Sequence, residues 1–186
     1  VTPEAYELGV ELMLSNRQIR RDIAKDVQAT GLGAKTQFYE LLSKRFTLVR
    51  GSRFSAVPKD ESKMRGIEVQ PMVNLMLQRC FHTWAARRLA AWGFPLETAT
   101  DRHRELLYRT DVRTIDARDA SDSISMRLVR DLFPTNVVSF IDRTRPTACR
   151  WGSDDESFRP LRKVSGMGSY ITFALMTVLL LAICEA

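Results

Sequence analysis

Cysteine and histidine are scarce in this chain of 186 residues, which contains three cysteines and two histidines. Three cysteines at wide spacing do not make a disulfide framework, and free thiols fit a reducing cytoplasm. Cys80 and His82 lie close together, but no second pair of ligands follows them at the spacing of a zinc site. His103 stands alone. The sequence therefore favours ordinary thiols and histidines over disulfides or a structural zinc ion.

Hydrophobic runs long enough to cross a bilayer are also lacking. Residues 170–184 contain about fifteen apolar positions, whereas a membrane-spanning helix needs roughly 20. The run is interrupted by Thr172 and Thr177 and is followed by Glu185, so we expect a buried core helix. No basic and then apolar leader marks a signal peptide. The alternative is a tail-anchored membrane protein built on this run, which would need detergent to stay in solution.

The chain does have enough apolar residues for a core and a moderate surplus of positive charge. The hydrophobic fraction is 45%, and 28 Lys and Arg face 22 Asp and Glu, for a formal net charge of +6. A basic surplus favours polyanionic partners, with nucleic acid first among them, although many soluble domains reach this value. Part of the surplus lies on one side of a predicted helix, at Arg17, Arg20, Arg21 and Lys25. That basic side suits solvation as well as contact with RNA.

Hydrophobic periodicity predicts a helix-rich chain of the mixed α/β (α+β) class. Helices are expected in residues 1–45, 71–92, 96–110, 137–143 and from 170 onward. Within the first of these regions, Asn16 is expected to cap a second helix. Strands are expected in residues 46–50, 53–59, 67–69, 147–151 and 157–163. The long helix at 71–92 has wide apolar coverage, typical of a core helix, from Met72, Leu75, Met76, Trp84, Leu89 and Trp92.

Residues 112–134 combine a strand, an acidic turn and a helix, and the rest of the chain is organised around them. Residues 112–116 alternate like a short strand that ends at Asp116, and Asp122 follows after a polar turn. Carboxylates at the end of a strand and beside a helix N-terminus are well placed to hold a divalent cation. Mg²⁺ is usually bound by one or two carboxylates together with substrate phosphates. The stretch therefore predicts a site for a metal ion and a nucleotide.

The helix of this stretch is expected to begin directly after the acidic turn. Ser121 or Asp122 can cap it, because a short side-chain oxygen accepts hydrogen bonds from the free amides of the first turn. Ile124, Leu128 and Leu132 follow at helical spacing and are expected to face the core. The proline at position 134 then ends the helix.

Three segments resemble motifs of one enzyme family. Asp116-x5-Asp122 resembles motif A of the RNA-dependent RNA polymerases of small positive-strand RNA bacteriophages, the levivirus group. Val-Pro-Lys at 57–59 and Arg-x-Ile-x-Val-x-Pro at 65–71 resemble motif F of the same polymerases. There the family usually has Glu before the proline, where this chain has Gln70. That difference weakens any salt bridge that a Glu would make at this position, but the cations of the motif are present.

The glycine-containing loop at 165–168 and the helix after it resemble motif B. The family pattern is Ser-x-Met-Gly-x-x-x-Thr-Phe, and the matches are Ser165, Met167, Gly168, Thr172 and Phe173. Acidic residues that often follow the Phe in the phage enzymes are absent here. Motifs F, A and B thus occur in the family's order.

The resemblance implies that the acids of motif A act with a divalent cation. Asp116 is expected to be catalytic and to bind Mg²⁺ (or Mn²⁺) through its carboxylate, helped by the backbone of Ala117. Asp122 is expected to be the second catalytic acid and to recognise the nucleotide ribose through its 2′-hydroxyl. Asp119 is a rival to Asp122 for that position.

The resemblance also implies how the nucleotide is held. Clustered cations neutralise a triphosphate, on whose leaving group charge develops, and the cations expected to do so are Lys59, Lys63 and Arg65. A glycine loop lets the backbone approach a ligand closely. The residues expected to shape the pocket for template and nucleotide are Ser165, Gly166, Gly168 and Thr172.

The fold implied by the resemblance is part of a right-hand polymerase. Residues 1–50 would be the helical N-terminal part of the fingers, residues 51–110 the fingers with motif F and the long helix, and residues 111–186 the palm with motifs A and B. The implied reaction is template-directed nucleotidyl transfer from an NTP to an RNA 3′-hydroxyl, in the cytoplasm of a bacterial host. Implied partners are template and nascent RNA, NTPs, host elongation factors Tu and Ts and a ribosomal protein, with no membrane.

Motif C, which carries further metal-binding aspartates, is expected downstream of motif B and therefore beyond residue 186. Ser153-Asp154-Asp155 looks like such a motif, but it precedes motif B and has charged flanks. We interpret it as an exposed hairpin turn. Because one palm aspartate cannot organise two metal ions, we expect this chain to be an inactive piece of a longer polymerase.

A non-catalytic basic RNA-binding helical module is the alternative function. In that case, removing the charges of Arg17, Arg20 and Arg21 would abolish RNA binding, whereas Asp116→Ala would have no effect. This alternative explains the basic surplus but leaves the two acids of the motif A stretch without a purpose.

Overall fold

The computed structural model describes residues 1–30, 40, 43–113, 119–152 and 157–185, with side chains up to Val27 in the second helix. A short 3-10 turn at Pro3–Ala5 opens the chain. The helices described are α1 Tyr6–Ser15, α2 Arg17–Thr30, α3 Met72–Ala91, α4 Ala99–Leu106, α5 Met126–Leu132, α6 Thr135–Thr144 and α7 Tyr170–Glu185. The strands are β1 Ser52–Pro58, β2 Met64–Val69, β3 Ala148–Trp151 and β4 Phe158–Pro160. The predicted mixed, helix-rich α/β class is confirmed.

The four strands form one mixed sheet in the order β2-β1-β3-β4. β1 and β2 are an antiparallel hairpin, with Arg53 opposite Val69 and Pro58 opposite Met64. β3 runs parallel to β1, and β4 returns antiparallel to β3. The sheet therefore joins residues on both sides of the expected boundary at position 110, and the division into fingers and palm stays a prediction.

The main core lies where the long helix α3 packs against α7, with α5 and α6 completing it. Its buried members are Phe81, Ala85, Ile124, Met126, Val129, Ile141, Val164, Ile171, Ala174, Leu175 and Leu179. Because α7 contributes four of these side chains from its first ten residues, the core fixes the start of that helix. The loop that precedes α7 is therefore held at a defined place.

Helix α2 begins as the sequence predicts. The Asn16 side-chain oxygen accepts hydrogen bonds from the amides of Gln18 at 3.0 Å and Ile19 at 3.2 Å. Such a cap satisfies amides that have no partner inside the helix. Ile23 is fully buried, while the basic side of the helix is exposed as expected.

Helix α5 begins three or four residues later than predicted. Its cap is Ser125, whose hydroxyl accepts from the amide of Leu128 at 3.1 Å, and not Ser121 or Asp122. Ile124 is buried as expected, but it precedes the helix. This shift of the start rotates the helix, so that the predicted core face is wrong: Leu128 and Leu132 are 40% and 58% exposed. The buried positions are instead Met126 and Val129.

Two further predictions are corrected. Residues 46–50 form no strand, although Val1 anchors them by donating to the carbonyl of Thr47 and accepting from the amide of Val49. The long helix is a core helix along one side only. Its buried face is lined by Asn74, Leu77, Gln78, Phe81, Ala85 and Leu89, whereas the predicted core residues Met72, Met76, Trp84 and Trp92 are exposed.

Among the helices of the described residues, none is both long and apolar enough to cross a membrane. The apolar run at 170–184 forms α7, and its first half lies in the main core.

Candidate functional site

A groove of about 680 Å³ lies where the β1–β2 hairpin, the turn at 119–122 and the start of α7 meet. It is lined by Lys59, Arg65, Asp119, Ala120, Ser121, Asp122, Met167, Gly168, Ser169, Thr172, Phe173 and Met176. Segments from all three predicted motifs thus contribute to one cavity. Each of its sides has a distinct chemical character.

The cationic side of the groove comes from the β1–β2 hairpin. Lys59 follows β1 directly, and its amide donates to the carbonyl of Lys63 at 2.9 Å, which closes the turn. Arg65 lies on β2 opposite Val57. The structure brings Lys59 and Arg65 to the groove, whereas Lys63 is exposed near the hairpin tip and does not line it.

The acidic side is the turn that begins at Asp119. The backbone of Asp119 has a φ of +55°, and its carbonyl accepts from the amides of Asp122 and Ser123, both at 3.0 Å. The Ser123 hydroxyl donates to the same carbonyl at 2.8 Å. This tight turn holds the side chains of Asp119 and Asp122 on one edge of the groove. Both rivals for the second acidic position are therefore present there.

Asp122 is paired with a lysine that the sequence did not single out. Lys163 donates to Asp122 Oδ1 at 2.5 Å, and the two side chains are 28% and 53% exposed, respectively. The ion pair spans 41 positions of sequence and connects the acidic turn to the segment before the glycine loop. It engages one oxygen of the Asp122 carboxylate, and that side chain remains about half exposed.

The glycine loop forms the third side. Gly168 lines the groove with a φ of +112°, a conformation that side-chain-bearing residues rarely adopt. Ser165 and Gly166 are buried behind it. The hydroxyls of Ser165 and Thr172 lie 2.6 Å apart, and the Thr172 hydroxyl also donates to the carbonyl of Gly166 at 3.1 Å. Thr172 thereby ties the first turn of α7 to the loop.

Sequence reasoning also missed Glu68, which lies directly behind the glycine loop. Its carboxylate accepts from the amide of Gly166 at 2.9 Å, and its own amide donates to the carbonyl of Met167 at 2.8 Å. Glu68 is only 6% exposed. The alternation of Ile67 and Val69 with polar residues is typical of a strand whose polar side faces solvent, so no local signal indicated a buried acid.

The predicted metal ligands Asp116 and Ala117 lie outside the described residues. Within the described part of the chain, no three Asp, Glu, His or Cys residues come together in a group that could hold a metal ion. The groove does offer carboxylate oxygens from Asp119 and Asp122, and oxygen is the ligand that Mg²⁺ prefers. The described residues therefore supply the right donor chemistry but not a full ligand set.

Comparison with known proteins identifies the family. Residues 18–186 match the family described as RNA replicase, beta-chain. The chain belongs to this family. Over 148 residues it is 32% identical to the RNA-directed RNA polymerase beta chain of Enterobacteria phage GA, a stretch that covers 77% of this chain and 27% of that relative. The resemblance to the levivirus polymerases is thereby confirmed.

Other relatives in the family give the same result. Identity to the RNA-directed RNA polymerase beta chain of Escherichia phage MS2 is 32% over 147 residues, 77% of this chain and 26% of the relative. Identity to the RNA-directed RNA polymerase subunit beta of Escherichia virus Qbeta is 29% over 133 residues, 70% of this chain and 22% of the relative. The chain thus spans about a quarter of the length of these replicase beta chains.

Proposed function

We propose that this chain forms the nucleotide-binding part of an RNA-directed RNA polymerase, which transfers a nucleotidyl group from an NTP to the 3′-hydroxyl of a growing RNA. The observation that carries the proposal is the groove in which the cations of the hairpin, the acidic turn and the glycine loop meet. The relatives are RNA-directed RNA polymerase beta chains, which supports the same reaction. Template and nascent RNA, NTPs and a site of action in the cytoplasm of a bacterial host belong to this proposal.

Lys59 and Arg65 are proposed to hold the triphosphate. Both are exposed on the groove side of the hairpin, where their charges oppose the repulsion among phosphate oxygens. They also stabilise the charge that develops on the leaving pyrophosphate. Arg65 can offer two parallel N–H donors to one phosphate, whereas Lys59 acts as a point charge.

Asp122 is proposed to recognise the ribose. Lys163 holds one carboxylate oxygen, so the other can accept a hydrogen bond from the 2′-hydroxyl. A deoxyribose lacks that donor and would leave the oxygen without it, which disfavours the wrong sugar. The hydroxyls of Ser165 and Thr172 and the glycines at 166 and 168 are proposed to keep the loop in place beneath the nucleotide.

A divalent cation, Mg²⁺ or Mn²⁺, is proposed to bind at Asp116 with help from the backbone of Ala117. When bound, such an ion would neutralise phosphate oxygens and polarise the phosphoryl group. The described edge of the groove contributes oxygen donors beside that position in sequence, Asp119 and Asp122. Asp122 is engaged by Lys163, which suits a sugar-binding role better than a metal-binding one.

Nucleotide binding is the direct test of the groove. We expect Arg65→Ala or Lys59→Ala to raise the Kd for an NTP with Mg²⁺ by about tenfold, the value of one charge-assisted hydrogen bond. Lys63→Ala should change it by no more than about twofold, since Lys63 lies outside the groove lining. Fluorescence titration of the 186-residue chain with a labelled NTP measures each value.

Arg53→Ala is the matched control for Arg65→Ala. Both arginines are exposed on the same hairpin, but Arg53 lies at its opposite end, paired with Val69. If Arg53→Ala weakened NTP binding as much as Arg65→Ala, net charge and not the groove would account for binding, and the proposal would fail.

A polymerase reaction is proposed to need more of the replicase than this chain, including motif C and its aspartates. The relatives are about three times as long. We expect the 186 residues alone to show no primer extension on an RNA template with NTPs and Mg²⁺, measured by gel electrophoresis of a labelled primer. Measurable extension by the isolated chain would contradict this. Elongation factors Tu and Ts and a ribosomal protein are proposed as partners of the whole enzyme.

The second candidate, a basic RNA-binding module, is favoured by the exposed arginines of α2, Arg17, Arg20 and Arg21. Titration with a labelled RNA, beside the titration with a labelled NTP, separates the two. If changing these three to Ala abolished RNA binding while NTP binding were absent in the unmodified chain, the binding module would replace the polymerase proposal.

A further inference from the structure

Glu68 connects two sides of the groove without lining it. It lies on β2, three residues after Arg65, and is buried against the glycine loop at 166–168. We propose that Glu68 is a positioning residue: it fixes the glycine loop to the cationic hairpin, and the selection of ribose over deoxyribose depends on it. This inference rests on the proposed function of the groove.

Hydrogen bonds join Glu68 to two successive loop residues. The carboxylate oxygen Oε2 accepts from the amide of Gly166 at 2.9 Å. The backbone amide of Glu68 donates to the carbonyl of Met167 at 2.8 Å. A hydrogen bond from a buried amide to a charged acceptor is stronger than one to a neutral acceptor. The loop is thus bound to β2 through a side chain and through the main chain.

Close packing makes the same connection. A Cβ atom added to Gly166 would lie 2.7 Å from Glu68 Oε2, and one added to Gly168 would lie 2.7 Å from the Glu68 carbonyl oxygen. Real Cβ atoms do not approach other heavy atoms so closely. Glycines at both positions therefore let the loop lie directly on the strand. A shift of β2 is therefore transmitted directly to the loop.

The acidic side of the groove is linked to the same place. Lys163, the partner of Asp122, has its Nζ only 3.5 Å from the position of that added Gly166 Cβ. Glu68 Oε2 and Lys163 Nζ thus border the same small space beside Gly166. Glu68 Oε1 is buried and has no hydrogen-bond partner among the residues that the structure describes. The negative charge of Glu68 therefore lies close behind the ion pair that orients Asp122.

The consequence concerns sugar selection. Arg65, a proposed triphosphate cation, lies on the same strand as Glu68, whereas Asp122 lies on the acidic turn and is joined through Lys163 to the segment before the loop. Their separation sets where the 2′-hydroxyl falls relative to the Asp122 carboxylate once the phosphates are bound. Without the Glu68 contact, this distance is no longer fixed, and the ribose loses its advantage over deoxyribose.

Two measurements test the inference, with Glu68→Ala, Glu68→Gln and the control Glu61→Ala. Glu61 is an exposed acid near the tip of the same hairpin. The first measurement is hydrogen exchange of peptides covering residues 164–170 in the 186-residue chain. We expect Glu68→Ala to speed exchange there about tenfold. Glu68→Gln keeps an oxygen for the Gly166 amide and should stay near the unmodified chain, as should Glu61→Ala.

The second measurement is the ratio of kcat/KM for an NTP to that for its 2′-deoxy counterpart, in the complete replicase that contains this chain. A variant that merely folds less well loses active enzyme for both substrates equally, so the ratio does not change. We expect Glu68→Ala to lower the ratio about tenfold, with Glu68→Gln restoring most of it and Glu61→Ala leaving it unchanged.

Unchanged exchange in Glu68→Ala would overturn the contact, and an unchanged ratio would overturn the positioning role. If the unmodified replicase incorporated neither substrate, the proposed function would fail, and the role in sugar selection with it. The exchange experiment would still decide whether Glu68 holds the loop, so the two failures are distinguishable.

Discussion

Replacing Gly168 by alanine is expected to lower the free energy of unfolding by about 3 kcal/mol, from backbone strain and steric overlap together. It is also expected to weaken NTP binding about a hundredfold, because the loop that carries this residue forms one side of the groove. Two separate features of Gly168 produce the effect. The first has a counterpart elsewhere in the chain that allows it to be measured alone.

The first feature is the backbone conformation, since Gly168 has a φ of +112°, where a Cβ atom is strained whatever the space around it. The second is contact with β2, because an added Cβ would lie 2.7 Å from the carbonyl oxygen of Glu68. That oxygen belongs to the backbone of a strand paired with β1, so it cannot rotate away as a flexible side chain would. The loop itself must move, and the groove changes shape.

Gly93→Ala is the matched control. Gly93 also has a positive φ, +88°, but an added Cβ would meet no described atom within 4 Å. Gly93→Ala should therefore lose only the free energy of unfolding that backbone strain costs, about 1 kcal/mol. Its NTP binding should be unchanged. Urea denaturation followed by circular dichroism gives the free energies of unfolding, and titration with a labelled NTP gives the affinities. Equal losses for the two variants would show that contact with β2 contributes nothing.

The elements of this fold that follow from local chemistry were predictable. Asn16 caps α2 because its side chain reaches amides two and three residues ahead, a rule that needs no tertiary information. The β1–β2 hairpin and the loop before α7 follow from alternation and from glycine in the same way. The resemblance to motifs F, A and B implied that Lys59, Arg65, Asp122, Gly168 and Thr172 belong to one site, and all five line the groove. Their chemical roles stay predictions.

The errors arise where distant segments decide the local structure. Two residues of the acidic turn, Asp122 and Ser123, donate to the carbonyl of Asp119, which delays the helix until Ser125. Ser125 also forms a bridge with Lys163, far along the chain. Once the start moves, the buried face moves with it, and Val129 replaces Leu128 in the core. Periodicity finds such a helix but cannot determine its first residue.

Glu68, at the site itself, is a second residue whose burial could not be predicted from the local sequence. At the end of β2 the inward positions are the polar ones: Glu68 on the strand and Gln70 directly after it are each 6% exposed, while Val69 between them is 39% exposed. An apolar residue alternating with polar residues normally indicates that the apolar side is buried. Here the buried side meets a glycine loop whose amide needs an acceptor, and that loop lies 98 positions away. Nothing within β2 carries that information.

Gln78→Leu is expected to lower the free energy of unfolding by about 3 kcal/mol, because buried polar groups lose their partners. Gln78 is fully buried in the middle of α3. Its amide nitrogen donates to Gln70 Oε1 at 2.6 Å and to the carbonyl of Thr144 at 3.0 Å. Its oxygen accepts from the Ser169 hydroxyl at 2.8 Å. One side chain thus joins the end of the hairpin, the end of α6 and the loop before α7.

Leucine has a similar volume and adds apolar surface to the interior, so the loss is due to hydrogen bonds and not to a cavity. The Thr144 carbonyl keeps a bond from Asn74 at 3.0 Å, whereas Gln70 Oε1 and the Ser169 hydroxyl lose theirs from Gln78. Ser169 lines the groove, and its oxygen also accepts from the amide of Ile171 at 3.2 Å. We therefore expect the variant to loosen the start of α7 as well as to destabilise the chain.

Gln18→Leu is the control, since Gln18 is an exposed helix residue whose amide donates to Asp22 at 2.9 Å. The same substitution there should change the free energy of unfolding by less than about 0.5 kcal/mol. Urea denaturation of both variants measures the difference, and hydrogen exchange of residues 166–172 reports the loop. A Gln78→Leu chain as stable as the unmodified one would show that burial of leucine compensates fully. The polar network beneath the groove would then serve to orient the loop without stabilising the fold, and only the exchange rates would still distinguish the two chains.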